Sequence, residues 1–447
     1  MMKLPDSPKN PHLLQKIQYF TDPISYLESN QEQYGDIFNA PILDNSKRQL
    51  LVSHPEGLKQ LFTKDGQKFY AETVEFLRFI VGDESIFCLE GNSHKRARKL
   101  LMPLFHQEGI SVYGQTICNR TEQVFSRLTP GTNFSAYRVA QEISTAIMSS
   151  IILGIYEEKR VQQLTQLMIE FWNSVSSPLI ASVLYFPSLR KDLGAWSPWG
   201  YFRHLMEQID QFLYTEIRDR RVQYDPARTN ILDSLMSAED EEGQRLNDQQ
   251  LRDELISIII GHPGVVSTIS WALYWIHQHP EVGEKLLKEL DTLDECPEAM
   301  TIFNLPYLTA VCQETLRIYP PAILTVPRVV KEPVELMGYE LEPGTKVCAC
   351  IYLTHHREYL YPESKKFQPE RFLEKQYTPY EFLPFGGSSR RCIGDTLALF
   401  DIKLVLATIL DNYQLALVNN QSVKPHLQGF GTLVPSSGVK MVFKGKR

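Results

Sequence analysis

"FGGSSRRCIGDTLALF", Phe385 to Phe400, sets one cysteine between a glycine- and arginine-rich turn and an apolar helical run. A thiolate is an electron-rich ligand, and its pKa falls at a helix N-terminus beside cations. Cys392 is expected to meet both conditions. The periodic run "IGDTLALFDIKLVLATIL" begins immediately after it, and Arg390 and Arg391 precede it. Gly386, Gly387 and Gly394 permit tight turns that aim backbone N–H groups at the sulfur. Phe385 offers an apolar lid against water, and the arginines suit the carboxylates of a cofactor. A cysteine used only for packing needs none of these neighbours.

Composition narrows the field. The chain has 447 residues, enough for a large core, and its net charge of −7 offers no basic field to nucleic acid. Cys88, Cys118, Cys296, Cys312, Cys348, Cys350 and Cys392 are scattered, odd in number and without a C-x-x-C pair. A disulfide framework or zinc cage is not expected, and the pattern fits a reducing cytosol. The N-terminal "MMKLPDSPKNPHLLQKIQYF" lacks the apolar core of a signal peptide, and no run reaches the ~18 apolar residues of a membrane span. The richest run, "ISTAIMSSIILGIY" (Ile143 to Tyr156), reads as a buried core helix. A soluble, cytoplasmic protein is expected.

Helical periodicity dominates, with neither repeats nor linkers. "HPEGLKQLF" (His54 to Phe62), "GNSHKRARKLLMPLF" (Gly91 to Phe105) and "YFRHLMEQIDQFLYTEIRDRR" (Tyr201 to Arg221) carry apolar residues at three- and four-residue spacing. "LNDQQLRDELISIII" (Leu246 to Ile260) opens on a capping-type Asn and continues into "VVSTISWALYWIHQHP" (Val265 to Pro280), predicting a helix of more than thirty residues crossed by Pro263 and Gly264. "LPYLTAVCQETLRIYP" (Leu305 to Pro320) is a shorter helix stopped by two prolines. Strands are few: a hairpin from "DIFNAPI" (Asp36 to Ile42) and "RQLLVS" (Arg48 to Ser53), and a cluster between Val326 and Ile351 with a turn at "EPG". The fold class is mainly α with a minor sheet, in one domain over residues 1–447.

The cysteine stretch resembles the haem-binding loop of the cytochrome P450 family, F-x-x-G-x-R-x-C-x-G, continued by C-x-G-x-x-x-A-x-x-D through Ala398 and Asp401. Ser388 stands where the family's third glycine belongs, a change expected to be tolerated if the turn there demands no positive φ. The resemblance implies haem b with Cys392 as axial thiolate. "ETLR" puts Glu314 and Arg317 at i, i+3 on one helix face; with "FQPERF" (Phe367 to Phe372) it looks like the family's Glu–Arg–Arg triad, Arg371 being third. "HKRAR" sets His94 and Arg98 at i, i+4, and Arg328 lies in "VPRVV". By the same resemblance these bind the haem carboxylates, together with Arg390. His355 or His356 in "LTHHRE" adds either a further such bond or packing.

The central helix departs from the family. Its usual A/G-G-x-D/E-T reads "IGHPGVV" here, Ile260 to Val266: Gly261 is kept, Pro263 replaces the acid and Gly264 the alcohol. Neither replacement carries a side-chain proton, and Pro263 predicts a kink. His262 is a titratable neighbour, and Ser267 and Thr268 are hydroxyls about a turn on. Two functions follow. One is a monooxygenase that inserts one atom of O2 into an apolar substrate such as a fatty acid or terpene, its protons coming through ordered water or a substrate hydroxyl. The other is a hydroperoxide isomerase, dehydratase or peroxide-driven oxidant. The resemblance implies a pocket lined by Phe76, Phe79, Ile86, Phe87, Val265, Val266, Ile323, Leu324, Val326 and Leu433. "LYFPSLRKDLGAWSPWGYF" (Leu184 to Phe202) is similar to the lid connection of cyanobacterial long-chain members. No flavin or iron–sulfur domain follows the haem domain in the sequence, so electrons are expected from NAD(P)H through a reductase and a ferredoxin or flavodoxin, docked on basic residues such as Arg391 and Lys403.

Overall fold

In the computed structural model, residues 5–43, 48–73, 75–223, 229–294, 297–418 and 422–447 are described. Cys296 lies outside them, as does the turn of the first hairpin, residues 44–47. The hairpin strands Ile37–Asn39 and Gln49–Val52 pair antiparallel, as expected, with Ile37 opposite Val52. Gln49–Val52 then pairs parallel with Lys346–Ala349, which neighbours Arg328–Val330, which neighbours Phe69–Ala71. The sheet therefore draws strands from distant parts of the chain. Its closing register sets Arg328 opposite Ala71, a few residues from Asp65.

Helices form the bulk. Ser135 caps Ala136–Ile151, whose last nine residues are all buried. The predicted core helix of Ile143 to Tyr156 is thus correct to Ile151; beyond it the chain turns through Gly154, at φ +63°. The Asn247 side chain and Gln250 form the reciprocal N-terminal cap of Asp248–Ile259. The expected long helix does span Asp248–Gln278, 31 residues, but in two pieces: Asp248–Ile259 and His262–Gln278. Pro263 sits in the first turn of the second piece. It has no N–H to give the Ile259 carbonyl, so the ladder is interrupted just ahead of it. Gly261 N–H bonds Ile258 O at 3.1 Å and Gly264 N–H bonds Gly261 O at 3.2 Å, both three-residue closures.

This broken helix is the one continuous helical stretch among the described residues long and apolar enough to cross a membrane, and 78% of its apolar window is buried inside the fold. His262–Gln278 packs against Ala136–Ile151 and against Asp395–Asn412, the helix that follows Cys392. The central helix and the cysteine helix thus share one core, which includes Ile147, Val266, Ile269, Phe400 and Leu404.

Candidate functional site around Cys392

The cysteine loop is held by its own backbone and by the end of the helix Pro55–Thr63. Cys392 N–H bonds Phe385 O at 2.9 Å, and Arg391 N–H bonds Ser388 O at 3.1 Å. Gly386 takes φ +72°. At Gly387 a Cβ would come within 2.6 Å of the Phe62 ring, so this glycine answers a close approach. Gly394 has an ordinary φ of −93°. Ser388 takes φ +60°, so the condition under which serine is expected to be harmless is not met. A left-handed non-glycine residue costs roughly 1–2 kcal/mol. Its hydroxyl donates to Phe62 O at 3.0 Å, which offsets part of that.

The helix starts at Asp395, three residues after Cys392 rather than directly behind it. Cys392 keeps accessible surface although protein atoms surround it closely. Burial pushes its pKa up, not down. The Gly394 N–H, Arg98 and Arg391 oppose that shift and Asp395 adds to it. The expected depression by helix mouth and cations is therefore corrected: desolvation of a thiolate outweighs one N–H and two partly exposed guanidiniums. A coordinated metal ion, when bound, supplies what these groups do not.

Three guanidiniums and one imidazole converge beside the loop. His94 and Arg98 share a face of Gly91–Leu101, Arg328 comes from its strand, and Arg390 from the loop. Burial first, then Arg390 and Arg98, holds His94 down to about 4, so it is neutral at pH 7. Burial and Arg328 lower Arg390 as well. The guanidiniums donate to carbonyls: Arg98 to Arg391 O (2.8 Å), Arg390 to Ile86 O (3.1 Å) and Leu89 O (2.6 Å), Arg328 to Val326 O (2.9 Å). Arg328 Nε is buried without a well-directed acceptor; Asp65 Oδ1 lies 3.1 Å away but off the N–H direction. Mutually repelling guanidiniums with an orphaned buried donor are short of anions. That is what two porphyrin carboxylates would provide.

Glu314, Arg317 and Arg371 are brought together in the interior. Arg317 grips Glu314 through Nε (2.6 Å) and Nη2 (2.9 Å), and Arg371 Nε reaches Glu314 Oε1 at 3.2 Å. Arg317 also donates to His355 O and Lys366 O, tying the helix Pro306–Ile318 to the segment before the cysteine loop. His355 takes a packing role: its Nε2 accepts the Leu383 N–H at 3.0 Å, and burial holds it well below its usual range. His356 stacks on Tyr352, ring centroids 4.0 Å apart.

Around the break in the central helix the hydroxyls are already committed. Thr268 Oγ1 donates to Gly264 O at 2.8 Å and Ser267 Oγ to Leu433 O at 2.5 Å. His262 is buried against Thr145, 3.4 Å from its hydroxyl, and burial lowers it to about 4. A Cβ on Gly264 would meet Pro321 at 3.6 Å, an ordinary contact.

A group that sequence reasoning missed lies two turns before Gly261, on nearly the same helix face. Glu254 accepts the Ile86 N–H at 3.0 Å, its other oxygen is buried without a partner, and burial raises it to about 8. Asp253 accepts the Glu84 N–H at 3.1 Å and Ser257 meets Ser85 at 2.6 Å. Three side chains of the central helix thus hold three successive residues of the loop whose carbonyls receive Arg390.

Of the predicted pocket residues, Phe79, Phe87 and Val326 keep open surface, Leu324 and Val265 are half-buried, and Ile86 is nearly closed off. The Phe79 ring lies 4.8 Å from Trp199, which falls inside the stretch Leu184 to Phe202. Phe76 falls in a helix, but its side chain is outside the described residues. Val266, Ile323 and Leu433 have essentially no accessible surface, so they line no open space and are corrected to core. Ile323 and Leu433 pack with Phe38 and Leu353, and period-two alternation turns Leu324 the other way. Lys403 is corrected too: it is buried, its Nζ bonding Phe303 O and Thr309 Oγ1 at 2.7 Å each, and is no docking cation.

The family model for cytochrome P450 matches residues 5–443. The chain belongs to the cytochrome P450 family. Cytochrome P450 135B1 of Mycobacterium bovis is similar to it at 29% identity over all of this chain and 92% of its own length. Cytochrome P450 137 of Mycobacterium tuberculosis is 30% identical over 93% of this chain and 84% of its own. Among solved structures, retinoic acid-bound cyanobacterial CYP120A1 superposes with a TM-score of 0.86 over the full length of both chains at 20% identity, which shows the fold. The cytochrome P450 family is one of haem-thiolate oxidoreductases, monooxygenases in general, and its cofactor is haem b held by a cysteine thiolate.

Proposed function

We propose that the protein is a monooxygenase that inserts one oxygen atom of O2 into an apolar substrate, and that Cys392 would hold the iron of haem b through its thiolate. The observation that carries the reading is the pairing of an open thiol with an anion-short guanidinium cluster, Arg98, Arg328 and Arg390. Bound there, haem supplies the activation of dioxygen. The chain's own residues do the rest. Arg98, Arg328 and Arg390 with neutral His94 hold the porphyrin carboxylates, the Glu314 triad fixes the approach to the loop, and Phe79, Phe87, Leu324 and Val326 present apolar surface to a substrate.

Pro263 and Gly264 carry no side-chain proton to relay, and Ser267, Thr268 and His262 are engaged elsewhere. Protons then come through water at the helix break or from a substrate hydroxyl. Retinoic acid on the cyanobacterial neighbour and the similar lid connection favour an elongated apolar molecule. Electrons come from a separate ferredoxin or flavodoxin with its NAD(P)H reductase, and exposed Arg391 beside Cys392 is a docking cation. The chain acts as one haem domain in the cytoplasm.

The unfurnished helix break also favours a second reading, rearrangement or use of a hydroperoxide. The deciding experiment supplies long-chain fatty acids and terpenes in two regimes. In one they meet ferredoxin, reductase, NADPH and labelled dioxygen; in the other, hydroperoxide alone. Donor-dependent label in the product supports the monooxygenase. Product from hydroperoxide alone, with NADPH drained into free peroxide, supports the second reading.

A further inference from the structure

The Arg98, Arg328 and Arg390 cluster contains one buried carboxylate that no sequence pattern marks. Asp65 follows the helix Pro55–Thr63, and its side chain is 2% exposed. Its Oδ1 lies 3.1 Å from Arg328 Nε, and its Oδ2 accepts the Ser389 hydroxyl at 3.0 Å. Next to that bond Ser388 donates to Phe62 O, and Gly387 lies against the Phe62 ring. The stretch from Phe62 to Asp65 is therefore the platform on which the cysteine loop rests. Asp65 joins that loop to the strand that carries Arg328.

The charge count gives Asp65 a second role. Three guanidiniums face two carboxylates of a bound porphyrin, which leaves one positive charge. Glu90 reaches Arg390 from an exposed position, and Asp395 is paired with Arg391, so Asp65 is the buried anion that completes the set. Buried charges persist only when matched, because desolvation is not otherwise recovered.

We propose that Asp65 is a positioning residue of the haem site: it orients Arg328 and the cysteine loop together, and its charge offsets the third guanidinium beside the porphyrin. The inference rests on haem binding at Cys392. A failure of that reading shows itself separately, as wild-type protein that takes up no haem.

The test uses the haem-loaded full chain and three variants. Asp65→Asn keeps the shape and removes the charge. Asp65→Ala removes both, and Ser389→Ala removes one hydrogen bond and no charge. Removing a nearby anion favours the reduced iron. In Asp65→Asn the ferrous-to-ferric ratio at fixed potential should therefore rise on the order of tenfold, an upward shift of about 59 mV for a one-electron couple. Ser389→Ala should leave the potential at the wild-type value while haem passes to apomyoglobin several times faster. Asp65→Ala should show both changes. A wild-type potential in Asp65→Asn overturns the charge role. A wild-type transfer rate in Ser389→Ala overturns the positioning role, even if Asp65→Ala fails to fold.

Discussion

On the cysteine side of the site, charged and polar side chains cross-link the chain. Glu314 holds two guanidiniums, Asp65 lies 3.1 Å from a third, and serines pin the loop to Phe62 and Asp65. On the central helix, the residues at the break offer no functional side chain, and the nearby hydroxyls are turned back to carbonyls. One region is specified by paired charges, the other by the absence of an N–H at Pro263 and of a Cβ at Gly264. The contrast teaches that holding the thiolate in register demands many named side chains, whereas the reacting side has been cleared of them. Each variant below tests one half of that comparison.

The largest effect belongs to Glu314→Ala. It leaves Arg317 and Arg371 buried without their carboxylate, at a cost of at least roughly 3–5 kcal/mol. The expected outcome is protein without haem, or unfolded, read by haem content and thermal melting; normal loading would refute the cross-linked half.

Glu254 gives a pH test of the other half. Its folded carboxyl titrates at about 8 against its ordinary 4.5. Between those values the folded state keeps a proton that the unfolded chain has lost, so stability falls as pH rises through the window and levels off above it. Glu254→Gln should abolish that decline, gaining on the order of 2–4 kcal/mol over the wild type at pH 8.5 relative to pH 4. Urea denaturation at both pH values checks it, and parallel pH profiles would count against the unpaired buried acid.

The turn at Ser388 is a smaller matter. Ser388→Ala keeps the left-handed strain and loses the bond to Phe62, so it should destabilise by about 1 kcal/mol. Ser388→Gly loses the bond but sheds the strain and should stay near the wild type. A glycine variant as weak as the alanine one would mean that the strain is not real. Smallest is the effect of Gly264→Thr on stability, less than about 1 kcal/mol, because the new Cβ meets Pro321 at ordinary distance and threonine has the better helix propensity.

What the sequence made legible was local. The hairpin of Asp36 to Ser53, the Asn247 cap and the i, i+3 pair of Glu314 and Arg317 lie within reach of periodicity and turn chemistry. Resemblance to the cytochrome P450 family added distant members such as Arg371 and Arg328. What escaped has three physical causes. Asp65 meets Arg328 only through tertiary folding, and no spacing announces such a partner. The φ of Ser388 depends on the close approach of Phe62, not on the residue type. Lys403, a charge on a helix buried nearly all round, reads as surface in the sequence because its partners, Phe303 O and Thr309, lie about a hundred residues away. The direction of the Cys392 shift escapes for a related reason, since burial depth is a property of the whole fold.

The most direct test of dioxygen activation at this site counts product formed per NADPH consumed, with ferredoxin and its reductase, in the wild type and in Gly264→Thr. If water at the helix break suffices, the wild type already couples NADPH to product, and restoring the alcohol changes the yield by no more than a few-fold. If instead the wild type drains NADPH into hydrogen peroxide and the threonine raises product by roughly the 10²- to 10⁴-fold typical of a positioned proton donor, the claim that this protein activates dioxygen without a side-chain relay is contradicted.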